Sequence, residues 1–298
     1  MGARIRQLLP TAPPDVPFLI KTARPGFWAT SVWFYLLPLG GHDVFGDWRF
    51  WLGLAYVTLP FGLLIYGCND LVDRETDLLN PRKDTFLFGA RPDESQRAAL
   101  PGWIAAVQLP FFVAFCALLG WKAVGWVAVL LLLTAAYNLR PLALKGRAGW
   151  DVLNQVGYLL VFAIASWLAG LRQAPWFTFV FGALFAMHSH LLGQIMDHAP
   201  DLRAGRRTTA GMLGVRAAKV LMVVLLLVEA AVVGWPARDA LIAGFLCAGA
   251  IFFAADAAFL WRDQPYASWQ MRGLFLGWNA AALLSAPWMW QRATFATL

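Results

Sequence analysis

The run Leu59-Pro60-Phe61-Gly62-Leu63-Leu64-Ile65-Tyr66-Gly67-Cys68-Asn69-Asp70-Leu71-Val72-Asp73-Arg74-Glu75-Thr76-Asp77 decides how this chain folds. Its apolar part completes a stretch over 49–69, about the 20 residues a helix needs to cross hydrocarbon. Its end is acidic. Asn69, Asp73 and Asp77 are four residues apart. Four residues turn an α-helix by about 400°, so each step drifts by about 40° and the three side chains share a face. A second apolar stretch, 175–196, runs into Asp197-His198-Ala199-Pro200-Asp201 with the same spacing.

Composition sets the environment of these two stretches. Of 298 residues, 60% are hydrophobic and 14% are Asp, Glu, Lys or Arg, against about 25% charged in soluble domains. Mean hydropathy is +0.58. A soluble fold of this composition would expose extended apolar patches, so the chain reads as an all-α integral membrane protein. Disorder is excluded, because it needs low hydrophobicity and high charge. Cys68, Cys116 and Cys247 show no paired spacing and suggest neither disulfides nor zinc. The segment 1–24, with Pro10, Pro13, Pro14 and Pro17, lacks the apolar core of a signal peptide. It reads as a cytoplasmic N-terminal segment ahead of a single domain over 25–298.

Nine segments qualify as membrane helices: 26–41, 49–69, 100–119, 121–138, 152–171, 175–196, 217–235, 239–261 and 271–290. Nine spans put the N-terminus and the four long loops, 70–99, 139–151, 197–216 and 262–270, on one side. That side carries 19 Lys and Arg residues and the other carries 5. The asymmetry predicts long loops in the cytoplasm and a multi-pass protein of the inner (plasma) membrane. It also accounts for the net charge of +7 without nucleic acid. The partner the composition implies is the lipid bilayer.

Both acidic clusters then lie at the cytoplasmic ends of spans, the second and the sixth. Unpaired, so much like charge at a membrane boundary is costly, and a divalent cation removes that cost. Hard oxygen donors without cysteine favour Mg²⁺, with Asn69, Asp73, Asp77, Asp197 and Asp201 as candidate ligands. Mg²⁺ usually shares its shell with substrate phosphates. Arg24, Lys83, Arg140, Lys145 and Arg207 are on the same side and suit a diphosphate clamp.

At these residues the chain resembles the UbiA family of membrane prenyltransferases. Asn69, Asp73 and Asp77 match its NxxxDxxxD pattern, and Asp197 and Asp201 its DxxxD pattern. Gly205-Arg206-Arg207-Thr208, Lys21-Thr22-Ala23-Arg24-Pro25 and Tyr137-Asn138-Leu139-Arg140-Pro141-Leu142-Ala143-Leu144-Lys145 also look similar to family segments. The resemblance implies nine helices around a central cavity. It implies Mg²⁺ bridging the acidic motifs and a polyprenyl diphosphate, with Asp73, Asp197 and Tyr137 in catalytic positions. It implies loss of pyrophosphate to leave an allylic cation, which a hydrophobic acceptor attacks. That acceptor is an aromatic quinone precursor or a carotenoid, lycopene-like lipid; some relatives instead cyclise the chain. One departure stands out. Some members carry Tyr-x-x-x-Lys after the fourth span. Here Pro141 follows Tyr137 at that distance, leaving Arg140 or Lys145 to replace the lysine. Tyr137 and Arg24 read equally as interfacial anchors.

Four residues lie outside these motifs. His190 shares a helical face with Asp197, seven residues on, and reads as a base or as a packed histidine. His188 reads in the same two ways. Glu229 and Asp256 fall within spans, where acids are functional candidates. A secondary transporter is the rival from another class. It would place its charges near the midplane on broken helices, whereas the acids here cluster at one interface.

Overall fold

The computed structural model describes residues 15–296. The N-terminal segment expected over 1–24 lies outside the described residues as far as position 14. All regular structure described is helical, apart from isolated bridges at Thr85–Gly89 and Arg147–Arg207. The helices are α1 (Val16–Thr22), α2 (Trp28–Leu36), α3 (Trp48–Tyr56), α4 (Leu59–Val72), α5 (Arg74–Leu79), α6 (Glu94–Leu119), α7 (Trp121–Asn138) and α8 (Trp150–Leu153). They continue as α9 (Leu160–Leu168), α10 (Trp176–Met196), α11 (His198–Arg203), α12 (Thr209–Leu213), α13 (Val215–Gly234), α14 (Ala240–Ala258) and α15 (Ser268–Arg292).

Seven segments are long and apolar enough to cross a membrane: Trp48–Val72, Glu94–Leu119, Trp121–Asn138, Trp150–Leu168, Trp176–Met196, Val215–Gly234 and Ala240–Ala258. The other two expected spans differ for identifiable reasons. In the first, 26–41, only α2 is α-helical, flanked by 3₁₀ turns at Pro25–Phe27 and Leu37–Leu39. Pro25 opens the first of these turns and Pro38 is the second residue of the other, positions where a missing N–H is tolerated. The last, α15, is long but carries Gln270, Arg272, Asn279, Ser285 and Gln291.

Two expected spans are interrupted. The second breaks at Thr58, ahead of Pro60 in the first turn of α4, because proline has no N–H to continue the helix onto Tyr56 O and its ring crowds that carbonyl. The fifth is a short helix, a 3₁₀ turn over Asn154–Leu159, and then α9. Both interruptions reach the cavity described below, through α4 and the 3₁₀ turn.

The helices close into a ring. α13 and α14 pack as a hairpin, α10 packs against α13, and α15 packs on α2. Thr30 Oγ1 donates to Asn279 Oδ1 at 2.9 Å and Trp33 Nε1 to Ser285 Oγ at 3.2 Å, tying α2 to α15. α6 faces outward: only 17% of its apolar window is buried, as suits a helix bathed by lipid. Gly120, at φ +59°, makes the tight turn from α6 to α7 that a side chain would strain.

Candidate active site

The ring surrounds a cavity of about 310 Å³. Its deep walls are apolar and aromatic, with Phe34, Phe61, Tyr158, Val161 and Phe185 among them. Its other end is ionic, and both acidic motifs open onto it.

Each motif sits at a helix break. α4 ends at Val72, Asp73 takes a non-helical φ/ψ of −97°/20°, and α5 follows. α10 ends at Met196, Asp197 takes −94°/6°, and α11 follows. The expected single helical face is therefore bent at the first aspartate of each motif. The i to i+4 bonds survive the bend: Asp73 N donates to Asn69 O, Asp77 N to Asp73 O and Asp201 N to Asp197 O. The side chains stay on one side, and α5 packs against α11.

Cations stitch the motifs together. Asp73 pairs with both Lys145 and Arg206. Arg206 also reaches Asp201, at 3.5 Å. Asp197 accepts from Asn80 Nδ2 at 2.9 Å and from Arg82 Nε at 3.0 Å. Lys83 Nζ lies 2.6 Å from Asp70 and 3.0 Å from Asp77. Arg24 donates to Asp70 at 3.1 Å with its guanidinium 4.4 Å from the Tyr66 ring centre. Arg24 holds a left-handed backbone, φ 50°, a strained conformation of the kind that gathers at functional sites.

The electrostatics follow from burial. Burial pushes the Asp201 carboxyl up to about 7, with Asp197 adding to it and Arg206 opposing. It pushes Asp77 up to about 6, against the pull of Lys83. Burial also lowers Lys145, which Asp73 partly offsets. Arg206 and Arg24 are buried against their charge, but Asp73 and Asp70 respectively keep them above the ordinary arginine value.

Asn69, Asp73, Asp77, Asp197, Asp201, Tyr137, Arg24, Lys83 and Lys145 all line this one cavity. Two of the expected clamp residues do not. Arg140 and Arg207 are exposed and outside the lining. Arg207 instead bridges to Arg147 through the backbone. Arg82 and Arg206, each next to a residue chosen from the sequence, occupy the ionic end. Of the two candidates for the lysine after Tyr137, Lys145 and not Arg140 reaches the cavity: its Nζ lies 3.2 Å from both Asn69 Oδ1 and Asn138 Oδ1. Tyr137 Oη lies 3.5 Å from His190 Nε2. Asp70, between the pattern positions, is fully buried and central to the Arg24 and Lys83 contacts.

The intramembrane acids are paired outside this cavity. Glu229 pairs with His188. Asp256 pairs with Lys219 at 2.9 Å and accepts from Tyr266 Oη.

The acid end suits Mg²⁺ shared with a substrate. Asp70 Oδ2 and Asp77 Oδ2 are buried and accept no aligned hydrogen bond, although Lys83 stands beside Asp77. Among the described residues no three His, Cys, Asp or Glu side chains converge to hold an ion alone. Substrate oxygens would add to such a shell, as is usual for Mg²⁺.

Ion-paired acids and bases at one end of an apolar, membrane-embedded chamber define a class: an enzyme that handles a lipid bearing a charged head. The chain belongs to the UbiA prenyltransferase family, whose model matches residues 27–280, and it is a prenyltransferase. It is similar to a lycopene elongase/hydratase of Corynebacterium glutamicum, at 28% identity over 91% of this chain and 96% of that one. A C50 β-cyclic carotenoid biosynthesis protein of Dietzia is 30% identical over 76% of this chain and 55% of its own length. The fold is shared with a UbiA homologue of Archaeoglobus fulgidus solved with GPP and Mg²⁺, at TM-score 0.67, 15% identity and 91% and 99% coverage.

Proposed function

We propose that this protein transfers a prenyl group from a prenyl diphosphate to a carotenoid-type, lycopene-like lipid, with Mg²⁺. The observation that carries this is the junction of Asp73 and Asp201 through Arg206, at the ionic end of an otherwise aromatic cavity. Similarity to lycopene elongase/hydratases over nearly the full length of both chains supports a carotenoid over an aromatic quinone precursor. A related structure bound to DMAPP and Mg²⁺ supports a diphosphate donor.

In this reading Arg24, Arg82, Lys83, Lys145 and Arg206 bind the diphosphate oxygens, exchanging carboxylates for phosphate. Asn69, Asp73, Asp77, Asp197 and Asp201 would hold Mg²⁺, which would neutralise the charge that grows on departing pyrophosphate. The bond between the allylic carbon and its oxygen breaks, and pyrophosphate keeps the electron pair. The rings of Tyr66, Tyr158 and Phe61 face the cavity and stabilise the allylic cation through their π faces. The apolar walls keep water from quenching it. The π electrons of an acceptor double bond then form the new carbon–carbon bond, and the cation this leaves on the acceptor is discharged by loss of a proton to water or a basic side chain. The chain is one domain of nine spans, α2 and α15 completing the seven apolar segments. Its N-terminus and ionic cavity end face the cytoplasm of the inner membrane, as the distribution of Lys and Arg directs.

The test uses purified protein in nanodiscs with Mg²⁺, a panel of prenyl diphosphates and a panel of acceptors. Pyrophosphate release that needs Mg²⁺, Asp73 and Asp197, and that rises with a carotenoid, is expected. Release that rises only with an aromatic acceptor would replace the carotenoid. Release with a cyclised product and no acceptor would make this a cyclase.

A further inference from the structure

Asp151 lies in the first turn of α8 and is fully buried. Both its oxygens act as acceptors. Oδ2 accepts from Gln194 Nε2 and from Thr209 N, each at 2.7 Å. Oδ1 accepts from Val152 N at 2.8 Å and from Thr209 Oγ1. Among the described residues it has no ion-pair partner. A buried carboxyl group is tolerated only when its hydrogen bonds are met, and here neutral donors from three chain segments meet them.

Those segments build the ionic end of the cavity. Gln194 is three residues before Asp197 on α10, and its Oε1 accepts from Ala210 N at 3.0 Å. Thr209 opens α12, three residues after Arg206, and its Oγ1 accepts from Gly149 N at 2.8 Å. Arg147 and Arg207 pair their backbones beside it. Asp151 therefore fixes α10, which presents Asp197, against the loop that presents Arg206. Arg206 in turn holds Asp73 and Asp201.

The geometry points to Asp151 as a positioning residue for the donor diphosphate: it sets where Arg206 stands relative to both acidic motifs, and touches no substrate itself. This rests on the reading of the ionic end as the diphosphate site. Its action goes through Arg206, so it governs the donor and not the acceptor. Asparagine at this position keeps one acceptor oxygen and places an amide where the other was. Alanine leaves Thr209 N and Gln194 Nε2 without a partner.

The experiment measures donor KM, acceptor KM and kcat for full-length Asp151→Asn, Asp151→Ala, Arg206→Gln and the two double variants, with Mg²⁺ in nanodiscs. Expected is a donor KM at least tenfold higher in Asp151→Ala, with Asp151→Asn intermediate and acceptor KM within twofold of wild type. In the Arg206→Gln background the Asp151 changes should add less than twofold, because residues acting as a unit are not additive. If Asp151→Ala fails to fold, Asp151→Asn runs the same cycle. Unchanged donor KM in a folded Asp151 variant, or effects that multiply with those of Arg206→Gln, would overturn the inference. An active wild type whose donor KM ignores Arg206→Gln would instead overturn the diphosphate reading beneath it.

Discussion

Arg206 and Asp73 form an ion pair across 133 residues of chain, joining the loop after the second acidic motif to the break inside the first. Arg207, its neighbour, points away and is exposed. The pair of arginines therefore makes an internal control. Arg206→Gln should lower kcat/KM for the prenyl diphosphate by about 10- to 150-fold, the worth of a charge-assisted hydrogen bond of 1.5–3 kcal/mol. Arg207→Gln should stay within about twofold of wild type, as surface changes usually do. Steady-state kinetics on both variants decides the matter, and equal effects would misplace the clamp.

Acid should weaken Mg²⁺ binding. Burial raises Asp201 to about 7 and Asp77 to about 6, both from an ordinary 3.8. A metal must displace these protons, so affinity should rise with pH through about 6 to 7 and level off above. Calorimetric titration of Mg²⁺ between pH 5 and pH 8 reads this, and Asp201→Asn should remove the upper step. The sign for folding is opposite. A carboxyl raised in the folded state stabilises it at low pH, and that contribution is lost as pH rises from about 4 towards 7.

Gly62 on α4 carries the backbone of the Arg24 segment. A Cβ there would meet Ala23 O at 2.4 Å, closer than any relaxed contact. Gly62→Ala should cost about 1–3 kcal/mol through overpacking. It should also raise donor KM by moving Arg24 off Asp70. Thermal unfolding and kinetics on the same preparation check both; an unchanged KM would show Arg24 to be an anchor only.

The buried pair of His188 and Glu229 lies outside the cavity, so breaking it should act on stability and not on catalysis. Both side chains are at most 1% exposed. His188→Ala leaves Glu229 alone in the apolar interior and should cost about 3–5 kcal/mol. His188→Phe with Glu229→Leu removes both polar groups and should be much milder. Denaturation in detergent, with kcat of the folded fraction unchanged, is the expected pattern.

Much of this arrangement is legible before any coordinates. The four-residue spacing of Asn69, Asp73 and Asp77, and of Asp197 and Asp201, predicts their convergence, because helical periodicity survives the bends at Asp73 and Asp197. The choice between neighbouring cations is not legible. Arg206 and Arg207 have the same chemistry, and only loop geometry decides that Arg206 turns inward, while Arg82 joins Lys83 in the cavity. The turn that returns Arg206 N to Asp201 O at 2.9 Å, with Gly205 at φ +68°, is such a geometry. Lys145 is a similar case. Its distance from Tyr137 departs from the shorter spacing, yet the 3₁₀ turn over Leu144–Gly146 brings it onto Asp73. The interruption of the fifth span is also hidden, since apolar content alone does not mark where a helix breaks, whereas Pro60 marks that of the second.

The central claim is that a prenyl group leaves its diphosphate and becomes bonded to a carotenoid on this protein. Mass spectrometry of lycopene, after incubation with the protein in nanodiscs, Mg²⁺ and ¹³C-labelled dimethylallyl diphosphate, tests it most directly. The account predicts a labelled, heavier carotenoid, one pyrophosphate released per prenyl group gained, and neither product without Mg²⁺ or in Asp73→Ala. Lycopene of unchanged mass, with the label found only in a cyclised or hydrolysed prenyl product, would contradict it.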